Sequence, residues 1–193
     1  MSPQDSIRAL SDNISPLSEE CQAELLARSS LKTFSKGEVV VREGQYSKRA
    51  FLIVKGSGRA YYLKDGKDIS DWFSFENEIM APIFSFFGDG PSPHYCEFIE
   101  DSTALEFSKE LMDELGSAHH DFERLISRIV TQTLLGLCTR LNAIQFNKAD
   151  ERYEQLLQMY PNITNRMPLT HIASYLGITL ETLSRIRNPK NRI

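Results

Sequence analysis

The residues best equipped for chemistry lie near the C-terminus. There Glu181, Ser184, Arg185 and Asn188 recur at three- and four-residue steps and so share one side of a helix. The edges of base pairs in a DNA major groove offer such groups partners: guanine O6 and N7 for an arginine, a cytosine amino group for a carboxylate. Thr179, Thr182 and Arg187 flank that side and are better placed for phosphate oxygens. The opposite side carries Leu183 and Ile186, and a preceding helix with Ile172 and Leu176, followed by Ile178, can cover it. Two helices crossing near a right angle need a small residue where they touch, here Ala173. They also need left-handed backbone at the turn, here Gly177. Thr179 caps the second helix and Asn188-Pro189 ends it, so the stretch reads as a helix-turn-helix. Two packed helices that dock a protein partner would need the same apolar positions; the polar face is what favours DNA.

Charge agrees with this placement. The 193-residue chain has a formal net charge of −4, with 41% hydrophobic and 25% charged residues, a composition of ordinary globular proteins. Residues 161–193 carry five bases (Arg166, Arg185, Arg187, Lys190, Arg192) against Glu181 alone. The other 160 residues hold 17 bases and 25 acids. A polyanion should therefore meet the C-terminal end.

Other chemistries find little support. Cys21, Cys96 and Cys138 lie far apart without CxxC spacing and read as reduced, mostly buried small hydrophobes, which leaves no ligand set for an iron–sulfur cluster. A haem iron could use His94 or Cys96, but nothing positively supports one. A cupin-like metal enzyme needs several histidines and a carboxylate on adjacent strands, whereas His119 and His120 sit at a helix start and His171 in the helix-turn-helix. No catalytic residue, metal or cofactor is expected. No run approaches the 18 apolar residues of a membrane span, and the first residues, Met1 to Asp5, lack the marks of an export signal, so a cytoplasmic location and no membrane partner are expected.

The elements that must position these groups change character along the chain. Ser15-Pro16 with Glu19 and Glu20 marks the start of an N-terminal helix of about three turns. From Leu31 to Phe107 short strands follow, clearest at 39–41, 51–54 and 59–63, separated by Lys36-Gly37, Glu43-Gly44, Lys55-Gly56 and Asp65-Gly66. Such a series argues for a small barrel or jelly roll. Ser108 caps a short helix through Glu114, and Gly116-Ser117 should break it before a second helix from about Ala118 to Phe146. Ile126, Ile129, Val130, Leu134, Leu137, Leu141 and Ile144 form an apolar stripe on that helix. Its length, about 40 Å at 1.5 Å per residue, outruns a small barrel and points to a twin helix in a homodimer. A further helix begins at Ala149, with Leu156, Leu157 and Met159 apolar and Pro161 as its stop, and a turn-rich spacer covers 162–168.

Thr179 to Ile186 resembles the recognition helix of the CRP/FNR family of bacterial transcription regulators. Phe34-Ser35-Lys36-Gly37-Glu38, Gly44, 51–56 and Arg59 resemble that family's cyclic-nucleotide-binding-type β-roll. The resemblance runs collinearly over nearly the whole chain. It implies an α+β fold: an N-terminal β-roll, a double-stranded jelly roll with flanking helices over 1–117, a dimerisation helix over 118–147, and a helix-turn-helix, winged-helix-like unit over 148–193. It further implies a homodimer on double-stranded DNA, Glu181 and Arg185 at base-contacting positions, and RNA polymerase as a candidate partner. Leu180 departs from the arginine many members carry there, so the preferred sequence should differ from that of the catabolite activator. The chain ends seven residues after Ile186, leaving a reduced wing or a hairpin before Leu169.

In nucleotide-binding members a cassette carries a Gly-Glu pair for the ribose and an arginine for the phosphate. Residues 75–96, the matching stretch, contain neither, and from Asp68 through Ser108 there is no Lys or Arg. A buried phosphate without a cation would be unfavourable by several kcal/mol, so cyclic AMP is not the expected effector. Glu78, Phe84, Phe86, Phe87, His94 and Tyr95 are candidates for lining a pocket for some other small molecule, with the barrel core as the alternative for the aromatic residues and an ordinary surface position for His94. The effector's identity stays open.

Overall fold

The computed structural model describes residues 2–188. Pro189, Lys190, Arg192 and any wing after the last helix lie outside the described residues. The chain opens with α1 (Pro3–Asn13), whose capping box pairs the Ser2 hydroxyl with the Asp5 N–H at 3.2 Å and the Asp5 carboxylate with the Ser2 N–H at 2.8 Å. This helix is missing from the sequence expectation, although Ser2-Pro3-Gln4-Asp5 carries its start signal. The helix expected from Ser15 is α2 (Glu19–Arg28), and its cap is Ser18.

Eight strands follow: β1 (Ser30–Phe34), β2 (Val39–Val41), β3 (Arg49–Lys55), β4 (Gly58–Lys64), β5 (Lys67–Ser74), β6 (Ile79–Met80), β7 (Tyr95–Phe98) and β8 (Ser102–Ser108), with the short helix α3 (Ile83–Phe87) between β6 and β7. They form two antiparallel four-stranded sheets, ordered β1-β8-β3-β6 and β2-β7-β4-β5. This is the expected β-roll. Phe34, Phe51 and Phe98 fill the space between the sheets, Phe34 stacked on Phe98 at 4.2 Å and edge-on to Phe51 at 5.6 Å. Gly56 permits the β3–β4 turn: its φ is +103°, and a Cβ there would meet Ser102 Oγ at 2.1 Å.

Helices resume with α4 (Lys109–Ala118), α5 (His120–Phe146), α6 (Ala149–Met159), α7 (Ile163–Arg166), α8 (Leu169–Tyr175) and α9 (Leu180–Arg187). Gly116 and Ser117 do not break the chain as expected. They remain inside α4, and the break is His119, whose φ of −124° and ψ of 106° are extended. The spacer expected at 162–168 holds α7, with Ile163 and Met167 buried, so no hairpin precedes Leu169 among the described residues. On α6 Met159 is exposed, and Tyr153 packs beside Leu156 in its place. No helix of the described residues is long and apolar enough to cross a membrane.

Both sheets are covered on the outside as well. Leu52, Val54, Leu105 and Phe107 pack under α1, α2, α4 and the first two turns of α5. Phe73, Phe75 and Ile99 pack instead against α6, α7 and α8. Cys21 and Cys96 are buried, but Cys138 is exposed on α5, contrary to the expectation of mostly buried thiols only at this third position.

Candidate nucleic-acid interface

The two helices α8 and α9 join through Leu176–Ile178, with Gly177 at φ +66° and the Ile178 N–H donating to the Ala173 carbonyl at 3.0 Å. Leu183 is wholly buried against Ile172, Ala173 and Leu176. Thr179 caps α9, its hydroxyl accepting the Thr182 N–H at 3.2 Å. With one side of α9 committed to this packing, Glu181, Ser184, Arg185, Arg187 and Asn188 are exposed and Thr182 is half-buried. The predicted polar face is therefore one continuous surface.

Its electrostatics suit mixed recognition. The Glu181 carboxyl is held below the usual glutamate range by its own backbone N–H in the first helical turn and by the Thr179 hydroxyl, so it is ionised at neutral pH. Arg185 stands one turn further and donates to Thr182 Oγ1 at 3.3 Å, a weak tether for a guanidinium. A carboxylate acceptor and a guanidinium fork thus sit side by side in water, without a buried ion pair to break before either meets a ligand.

A second set of contacts holds this unit on the roll. Arg166 of α7 forks onto Glu76, with Nη1 to Oε2 at 2.7 Å and Nη2 to Oε1 at 2.8 Å, while its Nε reaches Glu100 at 3.1 Å and Nη2 the Gly56 carbonyl at 3.0 Å. Burial pushes the Glu76 carboxyl up, but the Arg166 fork and the Gly56 N–H outweigh it and leave it below the ordinary value. Arg140 of α5 donates to Asp71 at 2.8 Å and to the Tyr175 carbonyl at 3.2 Å, and its guanidinium lies 4.2 Å over the Tyr175 ring. Ser174 Oγ accepts the β5 amide of Ser70 at 3.1 Å. Sequence reasoning identifies none of these pairs, since the partners stand as far as 110 residues apart and no local period links them.

The six residues considered for an effector do not converge. Phe86 is buried in the core beneath α1 and α2. Phe84 and Phe87 are exposed on α3. Tyr95 stacks on Tyr61 at 5.0 Å. Glu78 accepts the Phe75 N–H at 2.9 Å and faces Tyr160, and burial raises its carboxyl above the ordinary value. His94 is not the surface histidine expected: it is buried beside Trp72, with Nε2 3.1 Å from Asp71 and Nδ1 unpartnered. It thereby joins Asp71 and Arg140 in a chain of contacts from the roll to α5. The stripe on α5 divides in a similar way. Ile126 and Ile129 pack on the chain's own core, whereas Val130, Leu134, Leu137, Leu141 and Ile144 are exposed, together with Leu135.

Comparison with known proteins agrees with this architecture. Residues 31–119 match the cyclic nucleotide-binding domain family. The chain is 22% identical over 170 residues to the fumarate and nitrate reduction regulatory protein of Escherichia coli (strain K12), a match covering 80% of this chain and 66% of that protein. FixK2 from Bradyrhizobium japonicum superposes with a TM-score of 0.72 at 20% identity over 83% of each chain. The catabolite activator protein of Thermus thermophilus does so at 0.60 and 16% identity, over 93% of this chain and 85% of that one. The architecture is therefore a cyclic-nucleotide-binding-type β-roll continued by a long helix and a helix-turn-helix. In fold the chain resembles the regulators of the CRP/FNR family.

The Arg166 fork is about a quarter exposed, which keeps its contribution modest. Arg166→Ala should lower unfolding stability at neutral pH by about 1–2 kcal/mol. Because the folded Glu76 value is depressed, the contribution is present above the ordinary glutamate value and lost as pH falls through the folded one. Urea melts of both proteins at neutral pH and near about pH 3 should show the gap closing on acidification; a gap that is constant with pH would mean the pair adds nothing beyond packing.

Proposed function

We propose that this chain is a DNA-binding transcription regulator that acts as a homodimer and reads a pseudo-palindromic site with α9. The observation that carries the reading is the exposed face of α9, which places Glu181, Ser184, Arg185 and Asn188 on one side while Leu183 on the other is fully buried. Thr179, Thr182 and Arg187 take phosphates. In this reading 1–117 senses, 118–147 pairs with its twin and 148–193 holds DNA, with RNA polymerase as a candidate partner at the promoter.

The exposed stretch of α5 supports the dimer. Residues 130–139 are all exposed, and Leu134, Leu135 and Leu137 among them leave apolar surface that a second copy of the helix would cover. Against control by cyclic AMP stands the only buried arginine of the described roll. Arg59 is 3% exposed, and it is already bound to Asp68 at 2.7 Å and Glu97 at 2.9 Å. A nucleotide phosphate would have to displace two carboxylates to use it.

Three measurements test these readings. Arg185→Ala should cost roughly 1–3 kcal/mol per half-site and relax preference at one base pair, while Arg187→Ala should weaken all sequences about equally and lower the salt slope by about one per contact. Binding to a selected site and to random DNA across a salt series separates the two, and no loss for either variant would favour a protein-docking role. For assembly, Leu137→Asp should leave a monomer or an unfolded chain, and sedimentation of the wild type as a monomer at micromolar concentration would remove the dimer. Millimolar cyclic AMP should change neither the melting temperature nor DNA affinity; a clear rise in Tm would reinstate the nucleotide.

A further inference from the structure

Away from the helix-turn-helix, the junction between α2 and α5 gathers metal-ligating chemistry from two distant parts of the chain. Cys21 and Glu24 lie three residues apart on one side of α2, while His119 and Asp121 stand at the break that opens α5. The Cys21, His119 and Asp121 donor atoms all lie within 4.8 Å of one another. Glu24 Oε2 is 2.9 Å from His119 Nε2. We propose that Cys21, His119 and Asp121, with Glu24 as fourth donor, form a binding site for a single Zn2+ ion at the root of the long helix.

The donor set selects the ion. A thiolate and an imidazole together favour zinc over calcium or magnesium, which prefer oxygen alone, and one thiolate, one imidazole and two carboxylates complete a tetrahedron. Cys21 is the only cysteine in this core, Cys96 lying between the sheets and Cys138 on the exposed part of α5, so an iron–sulfur cluster does not fit. Zinc bonds of about 2.0–2.3 Å require donor separations of about 3.3–3.8 Å, so the donors of Cys21, His119 and Asp121 must close by up to about 1 Å while the His119–Glu24 contact opens slightly. The surroundings are built to support them. Asp121 accepts the Ser18 N–H at 2.6 Å and the Phe122 N–H at 2.9 Å, which fixes the carboxylate while leaving a lone pair on each oxygen. Arg28 holds the other oxygen of Glu24 at 2.9 Å.

Burial, and after it the Asp121 and Glu24 carboxylates, push the Cys21 thiol up to about 12, so a metal ion must displace its proton to bind. Binding of Zn2+ releases that proton to solvent and forms the Zn–S bond, and the dication offsets most of the negative charge of Cys21, Glu24 and Asp121. Because His119 is the residue that separates α4 from α5, the ion would also fix the angle at which the long helix leaves the roll.

The test uses the full chain carrying Cys138→Ser, which removes the exposed thiol. Zn2+ should be retained at one ion per chain through gel filtration and should raise the melting temperature, and Co2+ in its place should show a thiolate-to-cobalt charge-transfer band. Cys21→Ser should abolish the band, and His119→Gln should weaken affinity about tenfold or more, each with an unchanged helical circular dichroism spectrum without metal. If Cys21→Ser does not fold, His119→Gln and Glu24→Gln decide by the same loss of affinity. Absence of retained zinc, a Co2+ spectrum without the thiolate band, or a band that survives Cys21→Ser overturns the site and leaves His119 and Glu24 as an ion pair between helices.

Discussion

The structure depends on a sheet that is apolar on both of its faces. Strand β3 shows this most plainly, with every residue from Ala50 to Val54 buried: Phe51 and Ile53 point between the sheets, and Ala50, Leu52 and Val54 point outward. A small roll can shield only its interior, so each outer face must find a cover. One sheet is covered by α1, α2, α4 and the start of α5. The other, through Phe73 and Phe75 of its β5 end, uses α6, α7 and α8, which are the supports of the helix-turn-helix. The helix-turn-helix is therefore also the lid of the roll, and whatever reshapes β5 acts on α8 directly.

Legibility in the sequence follows the range of the signal. The helix-turn-helix is readable because its cap, its left-handed glycine and its apolar period lie within 18 consecutive residues, 169–186, and the structure has each in the expected place. Strands at 39–41, 51–54 and 59–63 are readable for the same reason. The four residues of α7 are not, since one turn flanked by Asn162 and Pro168 has no period to detect. The long helix is readable as an element but its start is not: Gly116 looks like a breaker, yet it leaves α4 intact, and the extended residue is His119, whose Nε2 sits against Glu24 on another helix. Arg166 with Glu76 and Arg140 with Asp71 are invisible in one dimension, because nothing local distinguishes them from solvated charges.

His94 shows the same limit from the other side. A lone histidine between prolines and glycines is ordinarily exposed, and only the fold brings Asp71, Trp72 and Tyr62 around it. Once buried, it belongs to a contiguous path in which Asp71 bridges to Arg140, and Arg140 to the Tyr175 carbonyl at the end of α8. Roll, long helix and helix-turn-helix thus share one arginine, so α5 cannot shift along its axis without disturbing the last turn of α8.

Magnitudes say which of these contacts hold the lid and which orient it. Burying an aromatic or branched side chain contributes about 1.5–3 kcal/mol, and Phe73, Phe75, Ile99, Leu156 and Ile163 all lie in this interface core, so apolar packing dominates adhesion. A partly exposed ion pair with several hydrogen bonds, such as that of Arg166, contributes about 1–2 kcal/mol. Its value lies in direction: the hydrophobic effect itself is non-directional, whereas the two-pronged Arg166–Glu76 contact and the Arg140 bonds to Asp71 and Tyr175 are satisfied at one angle. A ligand or partner that moved Glu76 or Asp71 would leave the apolar lid in place but free to pivot, and the pivot would turn the face of α9 that carries Glu181 and Arg185. Rotation without detachment needs only the loss of these small terms, a change of the size that one small-molecule or metal-binding event supplies.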